Sequence, residues 1–121
     1  MKSDERVLVV EQHPSISRAI EDAADRLPFV CDYATDGWEA IEKLEQSDYA
    51  AIVIDSEMPR ASGYGVLTYL REEVGDQMQN VIFVSSATAD LRPKLSGERI
   101  CVVDREGAVE ALIGVARDRA V

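Results

Sequence analysis

Five short apolar runs punctuate the chain, at 7–10, 30–33, 51–54, 81–84 and 100–103. Four of the five carry no polar interruption. That predicts strands covered on both faces, as in a parallel sheet, rather than the alternation of a sheet wet on one side. The segments between them have helical spacing. Ile16, Ala19, Ile20, Ala23 and Leu27 form one apolar stripe after Pro14, a residue tolerated in a first helical turn. Ile41 and Leu44, with either Trp38 or Ala40, mark a second helix, and Tyr64, Leu67, Leu70 and Val74 a third. Val109, Leu112, Ile113 and Ala116 mark the last. Each stripe is read as a face packed on the sheet. The segment 86–99 contains Pro93 and a stop at Gly97, so the fourth helix is expected to be shortened or broken. Strand and helix thus alternate five times. The predicted fold class is α/β: a doubly wound five-stranded parallel sheet with right-handed crossovers, in three layers α/β/α.

Composition narrows this frame. A length of 121 residues suits one domain, expected to span 1–121. With 46% hydrophobic residues and charges of both signs dispersed, the chain is not of the disordered class. The net charge of −10 and the lack of any basic patch argue against nucleic-acid partners, since phosphate binding needs clustered Lys and Arg. Cys31 and Cys101 sit in apolar runs without CxxC spacing and are read as small buried hydrophobes, implying a reducing, cytoplasmic setting. The apolar run at 7–10 is too short for a signal peptide or a membrane span, so no membrane association is expected.

Candidate chemistry collects at the carboxyl ends of the predicted strands, where parallel α/β sheets place their functional groups. Strand 1 is followed by Glu11-Gln12-His13, strand 3 by Asp55, strand 4 by Ser85-Ser86 and strand 5 by Asp104-Arg105. Around the acid the run is Asp55-Ser56-Glu57-Met58-Pro59, with Gly63 beyond it, and the second helix opens on Asp36-Gly37-Trp38-Glu39-Ala40. Over 7–117 this arrangement resembles the receiver domain of bacterial two-component response regulators, a flavodoxin-like fold. In that family the third strand ends in a phosphoacceptor Asp followed by x-x-Met-Pro and then Gly, and the second helix begins D-G-x-E-A.

The resemblance implies that Asp55 accepts a phosphoryl group from a histidine kinase or another signalling protein. Ser85 supplies a switch hydroxyl, with Ser86 as the alternative register. A weakly held magnesium ion is implied on Glu11, Asp55 and the backbone carbonyl of Glu57. No other cofactor and no activity on external substrates are expected, and a homodimer is left open. Three positions depart from the family pattern. Gln12 is neutral where a metal-binding acid is usual, Cys101 replaces the switch aromatic, and Asp104-Arg105 replaces Lys-Pro. An inward-pointing Asp104 about 5 Å from Asp55 would repel it by roughly 3 kcal/mol at an effective dielectric near 20. Arg105, next along an extended chain, is expected to point away, leaving Arg60 or Lys94 as candidate replacements. The module is therefore expected to be atypical, either phosphorylatable or a pseudo-receiver acting by binding alone.

Plainer readings stand beside these. An Asp after a strand commonly caps a helix or a turn, as Ser85 also could. Glu11 could be a solvated acid near helix N-termini, which favour negative charge. His13 precedes Pro14 and is read as the lead-in to the first helix. Two other function classes use similar elements. An aspartate-nucleophile phosphatase of the haloacid dehalogenase type wants D-x-D on its first strand. A flavodoxin-like cofactor binder wants a Ser/Thr/Gly-rich loop after strand 1, and Glu11-Gln12-His13 supplies none.

Overall fold

The computed structural model describes residues 5–12, 14–23, 26–56, 63–74, 80–86 and 100–119. Every apolar run forms a strand: β1 (Arg6–Val10), β2 (Val30–Ala34), β3 (Ala51–Asp55), β4 (Asn80–Val84) and β5 (Ile100–Val103). All neighbours pair in parallel, in the order β2-β1-β3-β4-β5. The helices among the described residues are α1 (Ser15–Asp22), α2 (Gly37–Gln46), α3 (Gly63–Tyr69) and the terminal helix, α4 (Ala108–Arg119). A π-helical turn, Leu70–Val74, continues α3, and a 3-10 turn, Arg105–Gly107, leads into α4. The shortened fourth helix expected between β4 and β5, with Pro93 and Gly97, lies outside the described residues.

Side chains alternate across the central strands and build two cores. Leu8, Val10, Ile52, Ile54, Val81 and Phe83 meet Ala40 of α2 and Val66, Leu67 and Leu70 around α3. Val7, Val9, Ala51, Val53, Ile82 and Val84 face the other way, onto Ile16 and Ile20 of α1 and Ala108 and Leu112 of α4. Each fully buried aliphatic side chain stabilises the fold by about 1.5–3 kcal/mol, which is why three inner strands read as unbroken apolar runs. The choice between Trp38 and Ala40 is settled by packing: Ala40 is fully buried and Trp38 is 71% exposed.

The strand with a polar interruption, β2, lies at the sheet edge with Val30 and Tyr33 partly exposed. Its Asp32 accepts hydrogen bonds from Arg6 at 3.0 Å and from the buried Tyr49 hydroxyl at 2.9 Å, tying the edge to the approach to β3. Burial, and then the bond to Asp32, push the Tyr49 hydroxyl up to about 12. The folded state thus holds this proton more tightly than the unfolded chain. The stabilisation is complete below the unfolded value near 10 and is lost as pH rises toward 12. Urea titrations across that window should show stability falling, with Tyr49→Phe flattening the decline.

The D-G-x-E-A run has a local structural role. Asp36 caps α2 by accepting from the Glu39 backbone N–H at 2.8 Å, while the Glu39 carboxylate reaches back to the Thr35 backbone N–H at 2.7 Å. This variant of a capping box fixes the exit from β2. Asp36→Ala should cost about 1 kcal/mol in chemical denaturation.

Candidate functional site

The strand order reverses between β1 and β3, which start connections to opposite sides of the sheet, so their carboxyl ends open the crevice where such folds place ligands. Asp55 is the last residue of β3, paired in register with Val84 of β4. Ladder bonds continue past the strand ends, from the Ser56 N–H to the Val84 carbonyl at 2.9 Å and from the Ser85 N–H to the Val103 carbonyl at 3.0 Å. Backbone pairing therefore fixes Asp55 and Ser85 on adjacent strand ends, and both side chains are buried.

Glu11 follows β1 and is also buried, in contrast to the solvated acid considered above. Its Oε1 accepts from the Ile16 N–H at 2.9 Å and its Oε2 from the Ser17 N–H at 2.6 Å. Pro14 occupies the N-cap position and makes no side-chain cap, so the exposed N–H groups of α1 take their acceptor from Glu11 instead. The positive end of the helix dipole favours the same carboxylate.

The end of β5 differs from the expectation. Asp104 does not face Asp55: it is exposed and caps the 3-10 turn, accepting from the Gly107 N–H at 2.9 Å. That turn reorients the next residue. Arg105 Nη2 lies 3.4 Å from Asp55 Oδ2, and its Nη1 donates to the Ser15 hydroxyl at 2.6 Å. The residue expected to point away thus faces the site, because the backbone, still extended at Asp104, enters a 3-10 turn at Arg105. Gly107 permits the turn, since a Cβ there would stand 3.2 Å from Val103 Cβ and 3.3 Å from Asp104 Oδ1. The like-charge repulsion expected from Asp104 is replaced by an ion pair between a buried carboxylate and a half-exposed guanidinium.

Cys101 is exposed rather than buried. Ile100 and Val102 point into one core, which turns Cys101 to the opposite face. There Ala111 and Gly114 of α4 are too small to cover it, leaving a cleft of about 360 Å³ also lined by Val115. Gln12 is exposed. Glu57, His13, Arg60 and Lys94 lie outside the described residues.

Magnesium requires near-octahedral oxygen ligation, drawn largely from carboxylates and water. The described residues do not fit that requirement. Both oxygens of Glu11 serve α1, the Asp55 carboxylate faces a guanidinium, and Gln12 contributes no charge. Among the described residues no three His, Cys, Asp or Glu side chains are grouped to hold an ion. The arrangement does present a buried carboxylate beside a guanidinium, with a hydroxyl residue on the adjacent strand end.

Two of these features were legible only indirectly. Asp104-Arg105-Glu106-Gly107 is an Asp-capped turn signature, which lifts Arg105 out of a strand-like path. A helix that starts after proline without a Ser, Thr, Asp or Asn cap needs an acceptor from elsewhere, and Glu11 is the nearest acid.

Comparison with known proteins adds independent support. Residues 7–96 match the family described as the response regulator receiver domain. A protein-glutamate methylesterase/protein-glutamine glutaminase from Symbiobacterium thermophilum is 32% identical over 123 residues, covering 96% of this chain and 33% of that protein. Hybrid signal transduction histidine kinase D of Dictyostelium discoideum is 38% identical over 90 residues, 74% of this chain and 6% of that protein. The chain thus spans a third or less of the length of these curated relatives. Among solved structures, the response regulator TrrA from Thermotoga maritima, in complex with Mg(2+)-BeF, superposes with a TM-score of 0.67 at 25% identity over 89% of this chain and 98% of that one. A Francisella response regulator receiver domain gives a TM-score of 0.74 at 21% identity over 96% of this chain and 99% of that one. The parallel sheet in 2-1-3-4-5 order, Asp55 at the end of β3 and the match over most of the chain lead to one assignment: this chain belongs to the response regulator receiver domain family of two-component signalling.

Proposed function

We propose that Asp55 is the phosphoacceptor of this receiver domain and that Arg105 and Ser85 hold the phosphoryl group once it is attached. The observation that carries the reading is the Arg105 guanidinium beside a carboxylate that is almost wholly buried at the switch point of the sheet. In the transfer, one Asp55 oxygen attacks phosphorus of a partner's phosphohistidine. The P–N bond breaks and its electron pair stays on the imidazole nitrogen. The product is an acyl phosphate whose added negative charge falls next to Arg105. A distance of 3.4 Å is longer than a tight charge-assisted bond, so the guanidinium borders the carboxylate without gripping it. Its exposed stem can draw back as the phosphoryl group fills the space.

The partner is a histidine kinase or another signalling protein, and the setting is cytoplasmic, consistent with two unpaired cysteines. Among the described residues no helix is long and apolar enough to cross a membrane. The module acts as a single unit over residues 1–121, and its output is carried by protein contacts rather than by turnover of an external substrate. Intact-mass spectrometry after incubation with phosphoramidate tests the reading. A gain of one phosphoryl group that is lost in Asp55→Asn is expected. An unchanged mass would refute Asp55 as acceptor and leave a receiver that signals by binding alone.

A further inference from the structure

The phosphorylated state brings the charge of a phosphoryl group onto an already buried carboxylate, so the site needs a compensating cation. Building on the proposed acceptor role of Asp55, we infer that Arg105 replaces the divalent metal ion: this receiver neutralises its acceptor with a guanidinium from its own chain and binds no magnesium there.

Three independent features converge on this. The acid after β1 is committed elsewhere, because each Glu11 oxygen accepts a backbone N–H at the start of α1, at 2.9 and 2.6 Å. The helix end thus supplies the positive potential that would otherwise come from an ion. The second position of the acidic pair is Gln12, exposed and uncharged, whose amide oxygen is a poor substitute for a carboxylate on a hard cation. Finally, a positive charge already stands beside Asp55, and it is tethered. The Ser15 hydroxyl accepts from Arg105 Nη1 at 2.6 Å while Nη2 faces Asp55 Oδ2, so the guanidinium bridges the first residue of α1 and the end of β3. An arriving magnesium ion would have to displace this pair and then complete its shell with few side-chain oxygens among the described residues.

Arginine suits the substitution chemically. Its charge is permanent at any working pH, and its planar fork offers paired N–H donors matched to carboxylate and phosphoryl oxygens. With phosphoramidate as donor, an Asp55 oxygen bonds to phosphorus, the P–N bond breaks with its electron pair on nitrogen, and the nitrogen, already protonated in the donor, leaves as ammonia. Arg105 gives up no proton and serves only as counter-charge. Ser15 is then a positioning residue that keeps the guanidinium over the acceptor.

Two measurements on the whole chain separate this inference from the acceptor assignment. In the first, magnesium is titrated into the 15N-labelled protein and backbone amide shifts are followed for Glu11, Gln12, Asp55 and Ser56. No saturating shift through the millimolar range is expected. Saturation at millimolar magnesium that disappears in Asp55→Asn would overturn the inference. The double variant Gln12→Asp, Arg105→Ala, which restores an acid and removes the competing cation, should acquire that saturable response and shows that the assay can detect it. In the second measurement, the rate of phosphoryl gain from phosphoramidate is compared in magnesium and in EDTA. Rates agreeing to within about twofold support the guanidinium as sole cation, and a rate that collapses in EDTA refutes it. If no phosphoryl group is gained in either buffer, the acceptor reading fails while a silent titration still upholds replacement of the metal.

Discussion

Arg105→Ala should slow phosphoryl uptake on Asp55 by about 10²–10³-fold, the loss seen when one preorganised charge-stabilising donor is removed from a reacting centre. The expectation follows from position. Asp55 is buried, Arg105 Nη2 is 3.4 Å from it, and the incoming group adds negative charge on the side the guanidinium faces. Arg105→Lys should recover only part of the rate. A lysine ammonium carries the charge but lacks the second arm that reaches Ser15 at 2.6 Å, so its placement over Asp55 is looser. Ser15→Ala should fall between wild type and Arg105→Ala. The ordering wild type, Ser15→Ala, Arg105→Lys, Arg105→Ala can be read from intact-mass time courses with circular dichroism as the check on folding. Equal rates for wild type and Arg105→Ala would remove Arg105 from the site's chemistry.

Phe83→Ala should lower the unfolding free energy by about 3–5 kcal/mol, the range for emptying a large aromatic from a packed core. Phe83 is wholly buried on β4 and sits in register with Ile54, one residue before Asp55. Its ring fills the space between the sheet and the α2 and α3 side. Domains of this size have total stabilities of about 5–15 kcal/mol, so the variant should melt on the order of 10–20 °C lower. Val30→Ala, at the exposed edge of β2, should change stability by less than about 1 kcal/mol and serves as control. The comparison also tests whether the acceptor depends on the core beneath it. Phe83→Ala protein that remains folded should show slower phosphoryl uptake, because loosening β4 loosens the ladder that positions Asp55 against Ser85.

The sheet was readable from the chain because burial on both faces leaves a direct mark: Val7-Leu8-Val9-Val10 and Ala51-Ile52-Val53-Ile54 admit no polar residue when helices cover both sides. The placement of Asp55, Ser85 and Glu11 at one edge followed from strand ends alone. The directions of side chains beyond those ends were not readable in the same way, since they depend on turns whose geometry is set by individual hydrogen bonds. Asp104 and Arg105 exchanged their expected orientations because one carboxylate captures the Gly107 N–H. Glu11 serves as the acceptor for the first N–H groups of α1 because Pro14 cannot cap the helix with a side chain. Cys101 departs from expectation for a different reason: membership of an apolar run says that a strand is covered, but the size of the covering residues, here Ala111 and Gly114, decides how completely. Local pattern thus specifies the scaffold, while the site departs from it at the residues that set its chemistry.

The exposure of Trp38 has a practical corollary. The single indole of the chain projects from the first turn of α2 into water and belongs to neither core. Its emission is expected to be that of a solvated fluorophore and to change little when the chain unfolds. Tryptophan fluorescence of this receiver is therefore expected to report weakly on global unfolding and on events at Asp55. A tryptophan introduced on the α3 side of the sheet, in place of Phe83 or a neighbour, should make tryptophan fluorescence report on the core.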